Sequence, residues 1–532
     1  MQSDLQRHKT GEQEEQGSTR ADWLASDSLG CTLRPCRVWT TVLSSPPPRP
    51  HIGTNRELFE YTSGRWIYNE PRRLAERRLA FNVDELMKAA AKSVNRRISD
   101  IKSFRKFAEG GFNRVFDISI KDGSCILARL PYPSTLPRRL AVASEVATLD
   151  FVRAHGIPTP RVLGYSVDDN PVGAEYILME KVPGRPIEEN ERLNVVLQIV
   201  ELETKLFDIH LPASGSIYYS HDLPPGTRRV DIPGSEGGLC IGPYASLRWW
   251  HGERADLDID GGPQTFDYEK QHPEEHAKSL EDYIRLAPYL VPRSSKLVLP
   301  VLRHPDLQPN NIYVSEDYSI TGLIDWQHSM VLPTFLAAGM PNLFQNYDDE
   351  ESMLFVPPQL RDDFGSLDED ERAKAQESFR RRHRGDGTHW RALQEDGGVL
   401  KRRVFDDAGS PWEGLNTPLQ MDIVRVVQNW SKIAAADKDG GIPACPVTLS
   451  EQEVQRRIIL DEELREVDSE TERINGLLGI AGDGWTTNEG FEGARERAGW
   501  IREEGLASVS DDAWLREMTE RHWPFDDWDE DE

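Results

Sequence analysis

Cysteine is scarce in this sequence. The five residues in 532 (Cys31, Cys36, Cys125, Cys240 and Cys445) are scattered, with no C-x-x-C pair. That spacing argues for reduced thiols and against a zinc site or a disulfide framework. Positive charge is also short: 63 Lys and Arg stand against 90 Asp and Glu, a formal net charge of −27. Phosphate backbones are gripped by Lys and Arg, so a nucleic-acid-binding protein is not expected. A cationic or zwitterionic partner is compatible with the charge, and so is plain solubility. No stretch reaches the apolar length of a membrane span, and no internal repeat is found. The hydrophobic share of 38% and charged share of 29%, over a length sufficient for two to four domains, describe a chain that packs in parts and stays solvated in others.

The ends are expected to be the solvated parts. Residues 1–55 read as a disordered segment. Asp4, Glu12, Glu14, Glu15, Asp22 and Asp27 do not suit a transit peptide. From Leu29 to Arg56 the acids vanish, and Arg34, Arg37 and Arg49 mix with Ser, Thr and Trp39, which is presequence composition beginning late. Ser44–Pro50 reads as a stiff linker. At the other end, Arg361–Arg384 and Glu451–Ile474 are charged helical patterns, and Phe525–Glu532 reads as an acidic tail.

Between these ends the hydrophobic period changes several times. Glu70–Val94 reads as helix, with Asn82 as a restart cap three residues before Glu85. Ile101–Phe107, Arg114–Ile120 and Cys125–Leu130 read as strands, the last two joined by a turn at Lys121–Ser124. Arg138–His155 is a helical pattern stopped by Pro158-Thr-Pro160, and Val162–Val167 and Glu175–Lys181 form a second strand pair. These segments predict a small antiparallel sheet with one packed helix. Glu191–His210 and Glu274–Ala287 read as amphipathic helices. Pro212–Pro273 between them, rich in Gly, Pro and Asp, reads as an insertion of little periodicity containing Trp249 and Trp250. Thr334–Asn342 reads as a short helix.

The most informative residues are His304-Pro-Asp-Leu-Gln-Pro-Asn-Asn311 and Ile324-Asp325-Trp326. A lone Asp or Asn in a loop serves a turn or a cap. The joint pattern H-x-D-x-x-x-x-N followed by an apolar-Asp-aromatic triplet has another use. Asp306 can take the proton from an attacking hydroxyl, while Asn311 and Asp325 can hold Mg²⁺ over nucleotide phosphates. Val298–Arg303 reads as a strand entering the loop. Ile312–Ser315 and Ile320–Ile324 read as a hairpin that folds Asp325 back beside Asn311, fourteen positions earlier. Upstream, Gly110 and Gly111 sit between two strands, where backbone N–H groups can approach phosphates. Arg129, near the end of the next strand, can reach the α- and β-phosphates, and Glu145 one helix later can hold it as an ion pair. Glycine loop, cation, helix Glu, H-x-D-x-x-x-x-N and Asp is the order of a kinase active site.

In this order the chain resembles the aminoglycoside phosphotransferase (choline kinase-like) family of the protein-kinase-like superfamily. The catalytic-loop run Leu302–Val314 carries most of the likeness. Within that family it is similar to the fungal mitochondrial group called altered inheritance of mitochondria protein 9. The shared stretches are Glu57–Trp66, Ala108–Phe116, Ala128–Pro133, Leu323–His328 and Val331–Phe335, so the likeness spans residues 57–355. The resemblance implies an α+β, bilobal protein-kinase-like fold with a small antiparallel-sheet N-lobe and a mainly helical C-lobe. The expected divisions are 1–55, an N-lobe over 56–184, a C-lobe over 185–355, and a charged, partly disordered extension over 356–532. It implies ATP and Mg as cofactors and a hydroxyl-bearing small molecule as substrate, with a mitochondrial location, or a cytoplasmic one as the alternative. Asp306 becomes the base, Asn311 and Asp325 the metal ligands, Gly110 and Gly111 part of the phosphate loop, and Glu145 the helix partner. The Met179–Val182 stretch becomes the hinge that meets adenine. His304 braces the loop, and the substrate lies near Asp306, lined by the insertion and Trp326, with Trp249 and Trp250 as possible stacking partners.

One position departs from the family pattern. Where a lysine usually binds the nucleotide, this chain has Arg129, which keeps the charge but is planar and bulkier. Two readings therefore stand side by side: an active phosphotransferase, or a pseudokinase that binds nucleotide or a partner without turnover.

Overall fold

The computed structural model describes residues 55–235, 238–246, 273–339, 398–409, 416–434, 440–521 and 523–527, with Phe364 and Arg372. The expectations for residues 1–54, Trp249 and Trp250, and nearly all of Arg361–Arg384 lie outside these residues. Two compact units are present. One comprises Gly64–Glu70 with the chain from Glu463 onward, and the other comprises Pro71–Glu462 with the residues just before Gly64.

The larger unit opens with the expected sheet. Strands β1 (Ile101–Glu109), β2 (Asn113–Ile120), β3 (Cys125–Pro131), β4 (Val162–Ser166) and β5 (Tyr176–Glu180) are antiparallel, in the order β1-β2-β3-β5-β4. The turn after β2 uses Gly123 at φ 94°, a conformation that L residues rarely adopt. Helix α1 (Val83–Ser93) starts where expected, because the Asn82 side chain accepts from Glu85 N–H at 3.1 Å. Such a cap contributes about 1 kcal/mol. Helix α2 (Leu140–Ala154) buries eleven of its fifteen residues, Glu145 among them. A helix apolar nearly all round must lie between two packed surfaces.

Past β5 the chain crosses to the elements that carry the candidate site through a short strand, β6 (Arg185–Pro186). Gly184 sits at φ 92°, and a Cβ there would come within 2.2 Å of the Val314 carbonyl oxygen. Only glycine lets β6 approach so closely. Helix α3 (Val196–Phe207) follows a 3₁₀ turn over Glu189–Val195, so Glu191–His210 is not one continuous helix.

Residues 212–235 and 238–246 of the insertion are more ordered than their composition suggests. Strands β7 (Ser216–Tyr219), β8 (Val230–Asp231) and β9 (Leu239–Gly242) form a sheet in the order β7-β9-β8. Strands of two to four residues between Gly and Pro turns leave too few alternations to be read as a period. Helix α4 (Pro273–Leu290) leads to the catalytic loop, which begins after β10 (Pro300–Leu302). The hairpin β11 (Ile312–Val314) and β12 (Ile320–Leu323) joins β6, while β13 (Val331–Pro333) pairs with β10. The helix at Thr334 ends at Ala337. One core holds Leu149, Phe151 and Val152 of α2 together with Leu307, Ile312, Leu323 and Trp326. A second holds α4 against the helices α5 (Gly398–Asp407) and α6 (Thr417–Gln428), through Leu286, Leu290, Val404, Leu419 and Ile423. The structure is thus α+β, a small antiparallel-sheet lobe followed by a lobe in which helices predominate.

The smaller unit pairs Arg65–Trp66 with Trp485–Thr486 and buries Tyr68, Leu478, Ile501 and Phe525 together. Phe525 and Asp527 therefore do not belong to a free tail: Phe525 is buried and Asp527 accepts from Asn69 N–H. Its helices are Phe491–Ser508 and Ala513–Arg521. The charged pattern after Glu451 forms a helix that runs to Leu478. No helix among the described residues is long and apolar enough to cross a membrane.

Candidate active site

The catalytic loop is held by its own residues. Asn311 Nδ2 lies 2.9 Å from the Asp306 carbonyl oxygen and 3.3 Å from Asp306 Oδ2, donating to both. Pro309 opens the 3₁₀ turn that carries Asn311 into place. His304 is buried and accepts the Asp306 N–H on Nδ1 at 3.1 Å. That leaves its proton on Nε2, which donates to the Ile324 carbonyl at 2.9 Å. Burial pushes the His304 pKa down to about 4, so the ring is neutral at physiological pH. The sequence expectation that His304 braces the loop agrees with this geometry.

The hairpin does what its spacing predicts. Ile312 registers with Leu323, and Ile324 N–H donates to the Asn311 carbonyl at 3.0 Å. Asp325, the next residue, therefore emerges beside Asn311. Its φ of 64° is unusual for a non-glycine residue, and such conformations persist where the surroundings over-determine them.

Arg129 joins the two parts. Its Nη1 donates to Glu145, while its Nη2 donates to Asp325 Oδ1 at 2.7 Å and to Gln327 Oε1 at 2.6 Å. Lysine has no fork with which to span these acceptors. The Asn113 and Gln327 amides are 2.7 Å apart, and Arg129 Nη2 is also 2.6 Å from the Asn113 amide, which accepts from it when its oxygen is turned that way. Gln327 was not anticipated as a site residue. The signal available was its position two residues after Asp325, but a glutamine there has no meaning until Arg129 and Asn113 come within reach.

The flap over this cluster is tied at its base. Glu109 and Arg114, the residues bracketing Gly110–Asn113, form a fully buried ion pair at 2.7 Å. Glu109 also accepts from Thr62 N–H, Ser63 and Lys106, and Arg114 Nη1 donates to the Leu58 carbonyl. The run Glu57–Trp66 thus begins as a brace for the flap. At the tip Phe112 meets His328 edge-on, with ring centroids 5.6 Å apart. Gly110 N–H closes the turn on the Asn113 carbonyl at 2.9 Å, so it is not available to phosphate. The N–H groups of Gly111 and Phe112 donate to no described residue.

Two further expectations change. Met179 lies inside β5, in register with Leu127 on one side and Val162 on the other, and its side chain is in the core with Val142 and Val146. Its backbone belongs to the ladder, and chain free of the sheet begins only at Lys181. Trp326 is fully buried in the main core, with Nε1 donating to the Leu323 carbonyl and its ring against His304. It supports the catalytic loop from behind and lines no substrate space.

The donor set suits Mg²⁺. Asn311 Oδ1 and Asp325 Oδ2 accept no hydrogen bond from any described residue, and both are hard oxygens. Among the described residues no group of three or more His, Cys, Asp or Glu could hold a metal by itself. Mg²⁺ does not require one, because it uses one or two carboxylates and completes its shell with water and substrate phosphates.

The Gly110–Asn113 turn and Arg129 thus meet the Asp325–His328 segment, and the loop that holds Asp306 and Asn311 is tied by its backbone to the residue before Asp325. Residues 103–335 match the family described as phosphotransferase enzyme family. A subtelomeric hrmA-associated cluster protein of Aspergillus fumigatus is 32% identical over 79% of this chain and 96% of its own length. The chain belongs to this phosphotransferase family. Altered inheritance of mitochondria protein 9 of Eremothecium gossypii is 25% identical over 50% of this chain, which spans 55% of that relative. The likeness to that group therefore covers about half of each protein. Among solved structures, aminoglycoside phosphotransferase APH(3'')-Id of Streptomyces rimosus aligns over 62% of this chain and 99% of its own, with 18% identity and a TM-score of 0.32. Amicoumacin kinase, in complex with AMP-PNP and Ca²⁺, aligns over 68% and 88%, with 14% identity and a TM-score of 0.31.

Proposed function

We propose that this protein transfers the γ-phosphoryl group of ATP to a hydroxyl group of a small molecule. The observation that carries this reading is Asn311 bonded to Asp306 and tied by its backbone to Ile324, which sets Asp325 next along the chain, with Arg129 joined to Asp325. Asp306 takes the proton as the hydroxyl oxygen bonds to the γ-phosphorus and the bond to the bridging oxygen breaks, releasing ADP. Asn311 Nδ2 fixes the Asp306 carboxylate. The Gly111 and Phe112 N–H groups face the phosphates, and Arg129 supplies fixed positive charge. Asn311 Oδ1 and Asp325 Oδ2 would hold Mg²⁺, which would neutralise charge on the phosphates. Adenine meets the chain after Glu180, where the sheet ends.

The test is transfer from Mg²⁺-ATP to a panel of hydroxyl-bearing metabolites, run beside Asp306→Asn. General-base loss predicts a rate lower by about 10²- to 10⁴-fold. If wild type and variant perform alike, the proposal fails.

A second reading, nucleotide binding without turnover, is favoured by Arg129 itself. Its guanidinium already engages Asp325, so the metal ligand is partly occupied by a cation of the protein. Binding with no phosphorylated product on any acceptor would support this reading. A mitochondrial location is supported by the composition of residues 29–56 and by the mitochondrial name of the related group. Fractionation of cells expressing the tagged chain tests it, and recovery only in cytosol would overturn it.

A further inference from the structure

Residues 215–245 of the insertion, as far as they are described, contact two elements of the site. At one end, Tyr219 on β7 donates its hydroxyl hydrogen to Asp150 Oδ2 on α2 at 2.7 Å. Beside it Tyr218, Leu223, Cys240 and Ala245 are buried with Val142, Ala143 and Val146 of the same helix. At the other end, Gly215 and Val331 exchange backbone hydrogen bonds at 3.0 and 2.7 Å. Ser216 Oγ donates to the Ser329 carbonyl at 2.8 Å and accepts from Ala245 N–H at 3.0 Å, while His328 Nδ1 lies 2.7 Å from the Ala245 carbonyl. One small sheet thus holds the helix that carries Glu145 and the segment that follows Asp325.

We propose that residues 212–235 and 238–246 form a clamp that positions Glu145 and Asp325 on either side of Arg129, with Ser216 and Tyr219 as positioning residues. The contacts close a ring. Glu145 leads through α2 to Tyr219, through β7 to Ser216, across to Ser329, back along the chain to Asp325, and through Arg129 to Glu145. A buried ion pair is favourable only while its geometry is kept, so an element that fixes both carboxylates decides whether Arg129 faces the nucleotide correctly. The clamp touches neither nucleotide nor acceptor. It acts through the helix, and it rests on the reading of Arg129 and Glu145 as part of a nucleotide site.

The experiment uses the full chain carrying Ser216→Ala and Tyr219→Phe together, which removes side-chain hydrogen bonds at both ends. Hydrogen exchange without nucleotide is the first measurement. The clamp predicts faster exchange in residues 140–154 and 326–331, with β1 and β2 unchanged. Unchanged exchange in 140–154 would overturn the clamp whatever the site binds. Affinity for Mg²⁺ with AMP-PNP is the second measurement, made in the wild-type background and with Glu145→Gln. The expected loss is about tenfold, equivalent to one or two hydrogen bonds. It should disappear when Glu145 is already replaced. An equal loss in both backgrounds means that the insertion is only structural and overturns the positioning role. Wild type that binds no nucleotide defeats the reading of the site instead, while the exchange result still decides the clamp.

Discussion

At the scale of single residues, Arg129 is the most constrained group in the site. Replacing it by methionine leaves Glu145 buried without its cation, and losses of this kind cost about 3–5 kcal/mol. Arg129→Met should therefore lower the unfolding free energy by that order in chemical denaturation, besides weakening nucleotide binding. His304 makes a different prediction. Its folded-state pKa lies below the ordinary 6.5, so the unfolded chain takes up the proton first as pH falls. Stability is present above pH 6.5 and is lost between about 6.5 and 4, by on the order of 3 kcal/mol. His304→Gln can still donate to Ile324, and it should flatten this part of the curve of Tm against pH. The roles of Asp306, Asn311 and Asp325 could be proposed from sequence because their spacing carries the chemistry. Those of Gln327 and Trp326 could not, because each depends on contacts that only the folded chain makes.

At the scale of elements, the flap shows how the fold stiffens a glycine turn. The Glu109–Arg114 pair is fully buried, and Arg114 also lies over the Tyr132 ring. Arg114→Met removes one of the two cations that hold the buried Glu109, leaving Lys106, and is expected to destabilise the sheet by several kcal/mol. A β1 and β2 that exchange no faster than in wild type would contradict this. Among the helices, α5 and α6 bring Asp407 and Asp422 together in the interior. Burial and the neighbouring carboxylate push the Asp407 pKa up to about 9. An acid raised in this way loses stability as pH climbs from its ordinary range towards the raised value, because the unfolded chain releases the proton more readily. Asp407→Asn should raise Tm at pH 8, with the gain vanishing near pH 4. The five sheet strands and α2 were legible, because each carries enough residues for its period to show. The β7-β9-β8 sheet was not, since its short strands are specified by contacts with α2 and with Val331.

At the scale of the whole molecule, the proposed site residues and their brace lie within one compact unit, while the chain from Glu463 forms a second with Gly64–Glu70. That second unit had no expected counterpart, since its two parts lie about four hundred residues apart and join through Arg65–Trp66 with Trp485–Thr486. The central claim is that Asn311 and Asp325 hold a metal under a nucleotide. Thermal unfolding of the full chain with ATP, with and without Mg²⁺, tests it most directly. Ligand at a hundred times its dissociation constant stabilises the folded state by about 2.7 kcal/mol. The account predicts a rise in Tm that requires both ATP and Mg²⁺, and a loss of the Mg²⁺ requirement and most of the rise in Asp325→Asn. No rise in wild type, or the same Mg²⁺-dependent rise in the variant, would contradict it.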